Sequence, residues 1–298
     1  MNNKQASLEE ILNNNTTFID SSIINPGSTI KKIYEATSFN NLDSSLIISE
    51  RNKIIGSIEI IKNQKVKVIP QVVEEIKEYQ RILGDKISYI SHLDRGRFYR
   101  NKNKRHISKW FIKNNKNNSI NKKLLGDLQQ DAYLLYQLCS RKKFEISDKK
   151  FELLLEMIKL LDNKIGLKKD ISYVYGDHNI PDTSSDTDER LVASLYWNSL
   201  YSNNSASLLT TDTDFIRLLG VTPTLLGSYQ FFPYNEYFRN RLSKNPFKLY
   251  IFTNNEYSEK TFHPFNFNHD FLIYKIPKNE NSEVRERISF LWKEFSEN

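Results

Sequence analysis

Four short segments of the 298-residue chain place a carboxylate where an apolar, strand-like run ends or where an apolar helix begins. Such alternation of strands and helices predicts a parallel sheet. Because open α/β folds bind ligands at the carboxyl ends of their strands, these acids are expected at one edge of the sheet. The segments are TTFIDSS with Asp20, VIPQVVEEI with Glu75, DTDERLVAS with Asp188, and SLLTTDTDF with Asp212 and Asp214.

Acids gathered at one edge of a sheet have a direct electrostatic consequence. Carboxylates held close together repel one another unless a cation lies among them. Hard divalent cations such as Mg²⁺ and Mn²⁺ are the ions that suit clustered carboxylate oxygens. The pattern therefore predicts an enzyme with a Mg²⁺ or Mn²⁺ site, of the kind that hydrolyses phosphodiester bonds.

The composition indicates the cellular compartment in which the protein is expected. The chain has one cysteine, Cys139, so no internal disulfide can form and a reducing compartment is favoured. Cys139 lies on a helical apolar stripe and is expected in the core. The first fifteen residues lack the apolar stretch of a secretory signal, and no apolar run approaches the roughly 18 residues of a membrane span. We therefore expect a cytoplasmic protein without a membrane partner.

The net charge of +7 is concentrated in the middle of the chain, where residues 91–170 hold 20 basic and 9 acidic side chains. The densest part, residues 95–123, has eleven Lys or Arg and no acid, with aromatic residues interleaved. Cations can follow phosphates while aromatic rings stack on unpaired bases, so this part predicts binding of single-stranded RNA, with DNA as the alternative. The simpler interpretation is a solvated basic loop. The predicted contact residues are Arg95, Arg97, Arg100, Lys102, Lys104, Arg105 and Lys109.

The periodicity of apolar residues divides the chain into a core and two additions. The core is discontinuous, because a mainly helical, basic insertion interrupts it, and a C-terminal extension with an amphipathic helix follows it. The sequence does not identify a protein partner. The predicted units are residues 16–90 and 171–255 for the core, 91–170 for the insertion and 256–298 for the extension.

The local patterns also predict individual elements. Residues before Thr16 are expected to be frayed, and the low-complexity stretch 114–121 is expected to be a flexible loop. A helix is predicted over 70–83, with proline at its first residue. The predicted strands are 16–19, 65–69, 171–175, 207–210 and 248–252.

Helical periodicity selects between the two adjacent glutamates of the helix predicted over 70–83. At about 100° per residue, Val72 and Ile76 lie on one apolar face. Glu75 borders this face, whereas Glu74 points nearly opposite. Glu75 is therefore the glutamate expected to lean over the edge of the sheet, and Glu74 is expected in solvent.

A further helix is predicted to begin near Asp188. Asp188 shares a face with Leu191 and Leu195, so it is expected to project towards the sheet from the first turn. Asp186 falls on another side of the helix. It is the candidate helix cap, with Glu189 completing a capping box.

Taken in order, the four acidic segments resemble the PIN domain, a family of metal-dependent nucleases with a parallel sheet between layers of helices. The resemblance lies in FIDSS, PQVVEEI, DERLVA and LLTTDTDF, and it covers residues 16–90 and 171–253. It implies a three-layer α/β/α fold and an endoribonuclease, because members of the family cleave RNA more often than DNA.

The resemblance also implies roles for individual residues. The acids would hold Mg²⁺ or Mn²⁺ directly or through water. Ser22 or Thr211 is expected to orient ligands or water. The implied catalytic residues and metal ligands are Asp20, Glu75, Asp188 and Asp212, with Asp214 as an alternate ligand.

Four other interpretations stay open at this point. The acids could be ordinary helix residues, since Asp is a favoured N-cap. The fold could be a catalytically silent scaffold that binds RNA or protein, although such a scaffold would be expected to lack some of the acids, and all four are present here. A phosphatase built on the Asp-x-Asp of TTDTDF would leave Asp20 unused. A zinc site at His263 and His269 would lack nearby cysteine ligands.

Overall fold

The computed structural model describes residues 4–14, 16–24, 39, 42–101, 109–165, 186–202, 205–212, 215, 218–219, 240, 244, 247–253, 256–261, 286–287, 290–291, 293–295 and 297. Side chains are described in these ranges except at residues 4–6, 14, 93–118, 161–165, 253 and 256–261. The predictions that lie outside the described residues are the strand 171–175, Lys102, Lys104, Arg105, Asp214, His263 and His269.

Six strands form one mixed sheet: β1 (Lys4–Ala6), β2 (Thr16–Ile19), β3 (Val66–Lys67), β4 (Ala206–Thr210), β5 (Phe247–Thr253) and β6 (Glu256–Thr261). Their order across the sheet is β1-β6-β5-β4-β2-β3. The neighbours β3, β2, β4 and β5 are parallel, while β6 is antiparallel to both β5 and β1. The parallel part of the sheet confirms the predicted α/β class.

Seven helices are defined in the described part of the chain: α1 (Leu8–Asn14), α2 (Ser21–Ile24), α3 (Ser44–Lys62), α4 (Pro70–Asn101), α5 (Lys109–Arg141), α6 (Lys149–Ile165) and α7 (Thr187–Tyr201). α5 packs against α3 and α4, and α3 also packs against β3. α7 packs against α6, β4 and β5. Helices therefore support both halves of the parallel sheet.

The central strands β2 and β4 are covered on both faces. Phe18 in β2 pairs with Leu208 in β4, and both are fully buried. Continuous apolar runs are typical of parallel strands covered on both faces, which is why both strands could be predicted. The hydroxyls of Thr17 and Ser207 lie 2.9 Å apart between these strands, so each of these buried polar groups has a partner.

The chain leaves β2 and β4 in opposite directions across the sheet. After β2 it crosses to β3 on one side, and after β4 it crosses to β5 on the other side. Neighbouring parallel strands with diverging connections leave a crevice at their carboxyl ends, and open α/β sheets bind ligands there. Asp20 follows β2 at this point, and Thr211 and Asp212 follow β4.

The amino-terminal residues form regular elements, so the prediction of a frayed tail was wrong. β1 pairs with β6, and α1 packs on β2 with Ile11 and Leu12 buried. A capping box begins α1: Ser7 N donates to Glu10 Oε2 at 2.9 Å, and Glu10 N donates to Ser7 Oγ at 3.2 Å. The S-x-x-E signal in SLEE therefore outweighs the polar, asparagine-rich flanks.

Most of the segment predicted as a basic loop is helical. α4 runs well past residue 83, and α5 includes the whole of the stretch 114–121. Cys139 in α5 is buried as expected, and burial raises the pKa of its thiol to about 12. No helix within the described ranges is both long enough and apolar enough to cross a membrane.

Asn121 explains part of the error at 114–121. Its side chain is buried and donates to the backbone carbonyls of Phe39 at 2.7 Å and Leu42 at 2.9 Å. Lysine is also a good helix former, so a Lys/Asn-rich stretch can continue a helix that has such an anchor. A low-complexity composition was therefore a poor guide to a flexible loop.

Two predicted domain boundaries fall inside structural elements. The boundary at 90/91 lies within α4, and the boundary at 255/256 lies inside the β5–β6 hairpin. Leu291 and Phe295, from the expected C-terminal helix, are helical and buried. Lys150 Nζ lies 5.6 Å from the centre of the Phe295 ring, so these residues pack near α6.

Candidate functional site

Asp20 lies at the carboxyl end of β2, directly beside the end of β4. Its backbone N donates to Leu209 O at 3.0 Å, which extends the pairing of β2 with β4 by one residue. This register places Asp20 opposite Thr210, the last residue of β4. Asp20 is only 4% exposed, so its carboxylate is buried where the two strands end.

Two hydroxyl groups hold the Asp20 carboxylate. Thr210 Oγ1 donates to Asp20 Oδ2 at 2.7 Å, and Ser22 Oγ donates to the same oxygen. These hydroxyls also accept from the loop after β4, since Asp212 N donates to Thr210 Oγ1 at 2.9 Å and Thr211 N donates to Ser22 Oγ at 3.0 Å. The backbone N–H of Asp212 and the carboxylate of Asp20 therefore both bind the hydroxyl group of Thr210.

Thr210, and not the predicted Thr211, is the threonine that orients Asp20. Thr210 is fully buried, whereas Thr211 is exposed and meets Ser22 through its backbone N. Ser22 contacts Asp20 as expected. Thr210 is the last residue of β4 and lies opposite Asp20. Its contact with Asp20 could be predicted only from the register of β2 against β4.

Burial raises the pKa of the Asp20 carboxyl above its usual value. The hydrogen bonds from Ser22 and Thr210 lower this pKa in part, and the negative charges of Glu75 and Asp212 raise it further. Charges influence one another to this extent only when they are close. The carboxylates of Glu75 and Asp212, from two remote segments of the chain, therefore lie near Asp20, and we call the region between these three acids the pocket.

Glu75 reaches the pocket from the second turn of α4. Val72 and Ile76 are buried, and Glu75 beside them is half-buried. Glu74 is exposed and its Oε2 pairs with Lys77 Nζ at 3.0 Å. The predicted orientation of the two glutamates is confirmed.

The start of α7 lies against Glu75. Thr187 Oγ1 donates to Glu75 Oε1 at 2.8 Å, and Asp188 is the next residue. Asp188 is half-buried, while Leu191 and Leu195 on the same helix face are fully buried. α7 therefore begins at the pocket, with Asp188 in its first turn.

Asp186 occupies the N-cap position of α7 without making a cap hydrogen bond. Its carboxylate pairs instead with Lys159 of α6, and with Arg190 Nε at 3.1 Å. The predicted capping box with Glu189 was wrong because two cations compete for the Asp186 oxygens. Burial alone would raise the pKa of Asp186, but the hydrogen bond from Lys159 and the charges of Arg190 and Lys159 outweigh burial and lower the pKa.

The pocket offers carboxylate and hydroxyl oxygens, which are the hard donors that Mg²⁺ and Mn²⁺ prefer. Within the part of the chain that the structure describes, no three Asp, Glu, His or Cys side chains form a group that could hold a metal ion as they stand. The acids share the pocket, with the Asp20 carboxylate turned onto its hydroxyl partners.

The predicted nucleic-acid contacts lie at one end of the pair of long helices. Arg95, Arg97 and Arg100 are in the last turns of α4, and Lys109 is the first residue of α5. Their side chains lie outside the described part of the structure. Their place in the fold is therefore known from the backbone alone.

Comparisons of the chain with protein-family models, with curated proteins and with solved structures found no match.

Proposed function

We propose that the protein is a metal-dependent endoribonuclease with a PIN-like, three-layer α/β/α fold, and that the pocket around Asp20 is its active site. The hydroxyl group of Thr210 joins Asp20 to Asp212 from a remote segment, since it donates to Asp20 Oδ2 at 2.7 Å and accepts from Asp212 N at 2.9 Å. The negative charges of Glu75 and Asp212 also act on the buried Asp20. A fold that holds like charges together does so at a cost in free energy, and carboxyl groups perturbed in this way cluster at functional sites.

The proposed cofactor is Mg²⁺ or Mn²⁺, because the donors in the pocket are oxygen atoms. Asp20, Glu75, Asp188 and Asp212 would hold the ion directly or through water, with Asp214 as an alternate ligand. When bound, such an ion makes water a better nucleophile and stabilises the charge on the phosphate oxygens.

The hydroxyl groups of the pocket orient the acids. Ser22 and Thr210 both donate to Asp20 Oδ2, whereas Asp20 Oδ1 has a longer contact of 3.5 Å with Ser21 Oγ. We therefore expect Oδ1 to be the Asp20 oxygen that faces a cation. Thr187 fixes Glu75 in the same manner, through Oε1.

RNA is the proposed substrate for two reasons. The resemblance to PIN domains implies cleavage of RNA more often than of DNA. The basic residues 95–123 also suit a polyanion with unpaired bases, which describes single-stranded RNA.

Metal-dependent cleavage tests this function. The purified protein should cut single-stranded RNA in the presence of Mn²⁺ or Mg²⁺, excess EDTA should stop the reaction, and added Mn²⁺ should restore it. DNA of the same sequence shows whether the enzyme distinguishes the two polymers. Asp186→Asn is the matched control, because it changes a carboxylate beside the pocket that already has two cationic partners.

Two outcomes would contradict the proposal. A folded protein that cuts neither RNA nor DNA with either metal would not be a nuclease of this type. If that protein still bound RNA tightly in EDTA, the silent RNA-binding scaffold would replace the enzyme as the better description.

A further inference from the structure

α4 and α5 form an antiparallel hairpin whose pairing can be followed along its length. Val68, just before α4, forms a bridge with Lys143, just after α5. Further along, a Cβ added to Gly84 in α4 would lie 2.9 Å from Gln129 Nε2 in α5. Residues later in α4 therefore lie beside residues that come about equally earlier in α5, as in an antiparallel helix pair. Continued to the end of α4, this pairing places residues 91–101 beside residues 112–122.

α3 fixes the direction of the hairpin relative to the sheet. Ser44 Oγ at the start of α3 donates to Asn121 Oδ1 at 2.6 Å, and Lys142 Nζ donates to Asn63 O, at the end of α3, at 2.9 Å. α3 and α5 are therefore parallel. Since α3 returns the chain from the carboxyl end of β2 to the amino end of β3, it runs against the strands. α4 is antiparallel to α5, so it runs with the strands and away from the edge that holds the acids.

The outer end of the hairpin is distant from the acid pocket. Glu75 lies in the second turn of α4, and Arg95 follows it twenty residues later. At about 1.5 Å per helical residue, the two are about 30 Å apart along the helix axis. Among the described side chains, Ile90 in α4 and Asn121 in α5 are the last buried residues towards this end. Both helices continue beyond them.

We define the hairpin tip as residues 91–101 of α4 and 109–123 of α5, which extend from about the level of Ile90 and Asn121 to the outer ends of the two helices. Asp94 is its only acid, and its basic residues are Arg95, Arg97, Arg100, Lys109, Lys113, Lys116, Lys122 and Lys123. Such a charge density attracts phosphates, and the tip rises from the same edge of the sheet as the carboxylates. A stacked strand that advances about 3.4 Å per nucleotide needs about nine nucleotides to span the distance between them.

We propose that the hairpin tip is an anchoring site for a polynucleotide strand, separate from the acid pocket and about 30 Å from it. This inference rests on the proposed function, because it assigns another part of the same strand to the pocket. The preferred substrate is then an RNA of about nine nucleotides or more. Shorter oligonucleotides occupy the pocket without reaching the tip.

The test compares two RNAs that share the cleaved sequence, one of about five and one of about 25 nucleotides, so that only the longer one reaches the tip. The tip variant is Arg97→Gln/Arg100→Gln/Lys113→Gln, and the control variant Lys53→Gln/Lys62→Gln/Lys65→Gln removes the same charge from α3 and the turn before β3. Steady-state cleavage in Mn²⁺ gives kcat and KM. Fluorescence anisotropy in EDTA gives the salt dependence of binding without cleavage, and circular dichroism verifies that each variant is folded.

The wild type should have a lower KM for the long RNA than for the short one. The tip variant should raise the KM for the long RNA about tenfold at unchanged kcat, and should leave kcat/KM for the short RNA unchanged. It should also reduce the slope of log affinity against log salt by about 2, since each lost contact with a single strand removes about 0.7. The control variant should change none of these quantities.

Two results separate this inference from the function on which it rests. If the wild type cleaved both lengths with equal kcat/KM, or the tip variant lost activity equally on both, the anchoring site would be overturned and the nuclease would stand. If the wild type cleaved neither RNA, the proposed function would fail, and the anchoring site with it.

Discussion

Asp20 follows β2 and Asp186 precedes α7, and the surroundings of these two acids are opposite in charge. Asp186 precedes the helix and pairs with Lys159 and Arg190. These cations outweigh the effect of burial and hold the pKa of Asp186 below its usual value. The negative charge of Asp186 is therefore compensated by two neighbouring cations.

The described contacts of the Asp20 carboxylate are with neutral hydroxyl groups and other acids, which do not compensate a negative charge. Its hydrogen-bond partners Ser22 and Thr210 are neutral hydroxyls, and the charges that raise its pKa are those of Glu75 and Asp212. Burial contributes the largest part of the increase in pKa. Ionisation of Asp20 therefore costs more free energy in the folded protein than in the unfolded chain.

Asp186 stabilises the fold through its ion pairs, whereas the burial of Asp20 costs free energy that other interactions of the fold must supply. The ion pairs of Asp186 with Lys159 and of Arg190 with Glu152 join α6 to the start of α7 and stabilise the packing of these two helices. A buried acid among other acids has no such structural benefit, and a divalent cation is the ligand that would relieve it. Four predictions test this difference, beginning with the largest effect.

Asp20→Asn should reduce the proposed metal-dependent RNA cleavage at least about 100-fold, because it removes the charge of a proposed metal ligand while keeping the size of the side chain. Asp186→Asn should stay within a few-fold of the wild type. Initial rates in Mn²⁺ measure both. Equal losses in the two variants would mean that Asp20 acts through stability alone, and the comparison would then break down.

Thr187→Val should lower kcat about tenfold, because it removes the hydroxyl that donates to Glu75 Oε1 and leaves that acid without this charge-assisted bond. Thr187→Ser retains the hydroxyl and should restore most of the activity. The concentration of Mn²⁺ that gives half-maximal rate should rise in the valine variant only. A purely structural role for Thr187 would lower the thermal stability of both variants without changing their dependence on Mn²⁺.

Thermal unfolding in EDTA should move in opposite directions for the two acids. Asp20→Asn removes a buried, repelled charge and should raise Tm by about 2 °C, whereas Asp186→Asn breaks two ion pairs and should lower Tm by about 2 °C. Differential scanning calorimetry measures both changes. A fall in Tm for Asp20→Asn would show that the wild-type carboxylate has a stabilising partner.

The dependence of stability on pH should also have opposite signs. Because the folded pKa of Asp20 is raised, its contribution to stability is present below the unfolded pKa and is lost as the pH rises through the folded pKa. The lowered pKa of Asp186 gives a contribution that is present above the unfolded pKa and is lost as the pH falls through the folded pKa. Urea unfolding in EDTA from about pH 2 to 7 should show these trends when the stability of each Asn variant is subtracted from that of the wild type. Parallel trends for the two acids would contradict the assignment.

The parts of the site that depend on local pattern could be predicted from the sequence. Short runs of apolar and hydroxyl residues of the strand type mark β2 as TTFI and β4 as SLLT, and place Asp20 and Asp212 after their ends. The period of an α-helix separates Glu75 from Glu74 without any knowledge of the fold.

The parts that depend on contacts between remote residues could not be predicted in this way. The choice of Thr210 over Thr211 requires the register of β2 against β4, which joins residues about 190 positions apart. The length of α5 depends on Asn121 finding the carbonyls of Phe39 and Leu42. The ion pair of Asp186 with Lys159 could be predicted only with knowledge of where α6 lies. The capping box that the sequence predicts for Asp186 is a local pattern and contains no information about α6.

Crystals grown with Mn²⁺ should show one strong peak in an anomalous difference map at the carboxyl ends of β2 and β4. We expect this peak to be coordinated by Asp20 and by at least one of Glu75 and Asp212, and to be absent from crystals of Asp20→Asn. A fully ordered pocket at saturating Mn²⁺ with no peak between these carboxylates would contradict the proposed metal site.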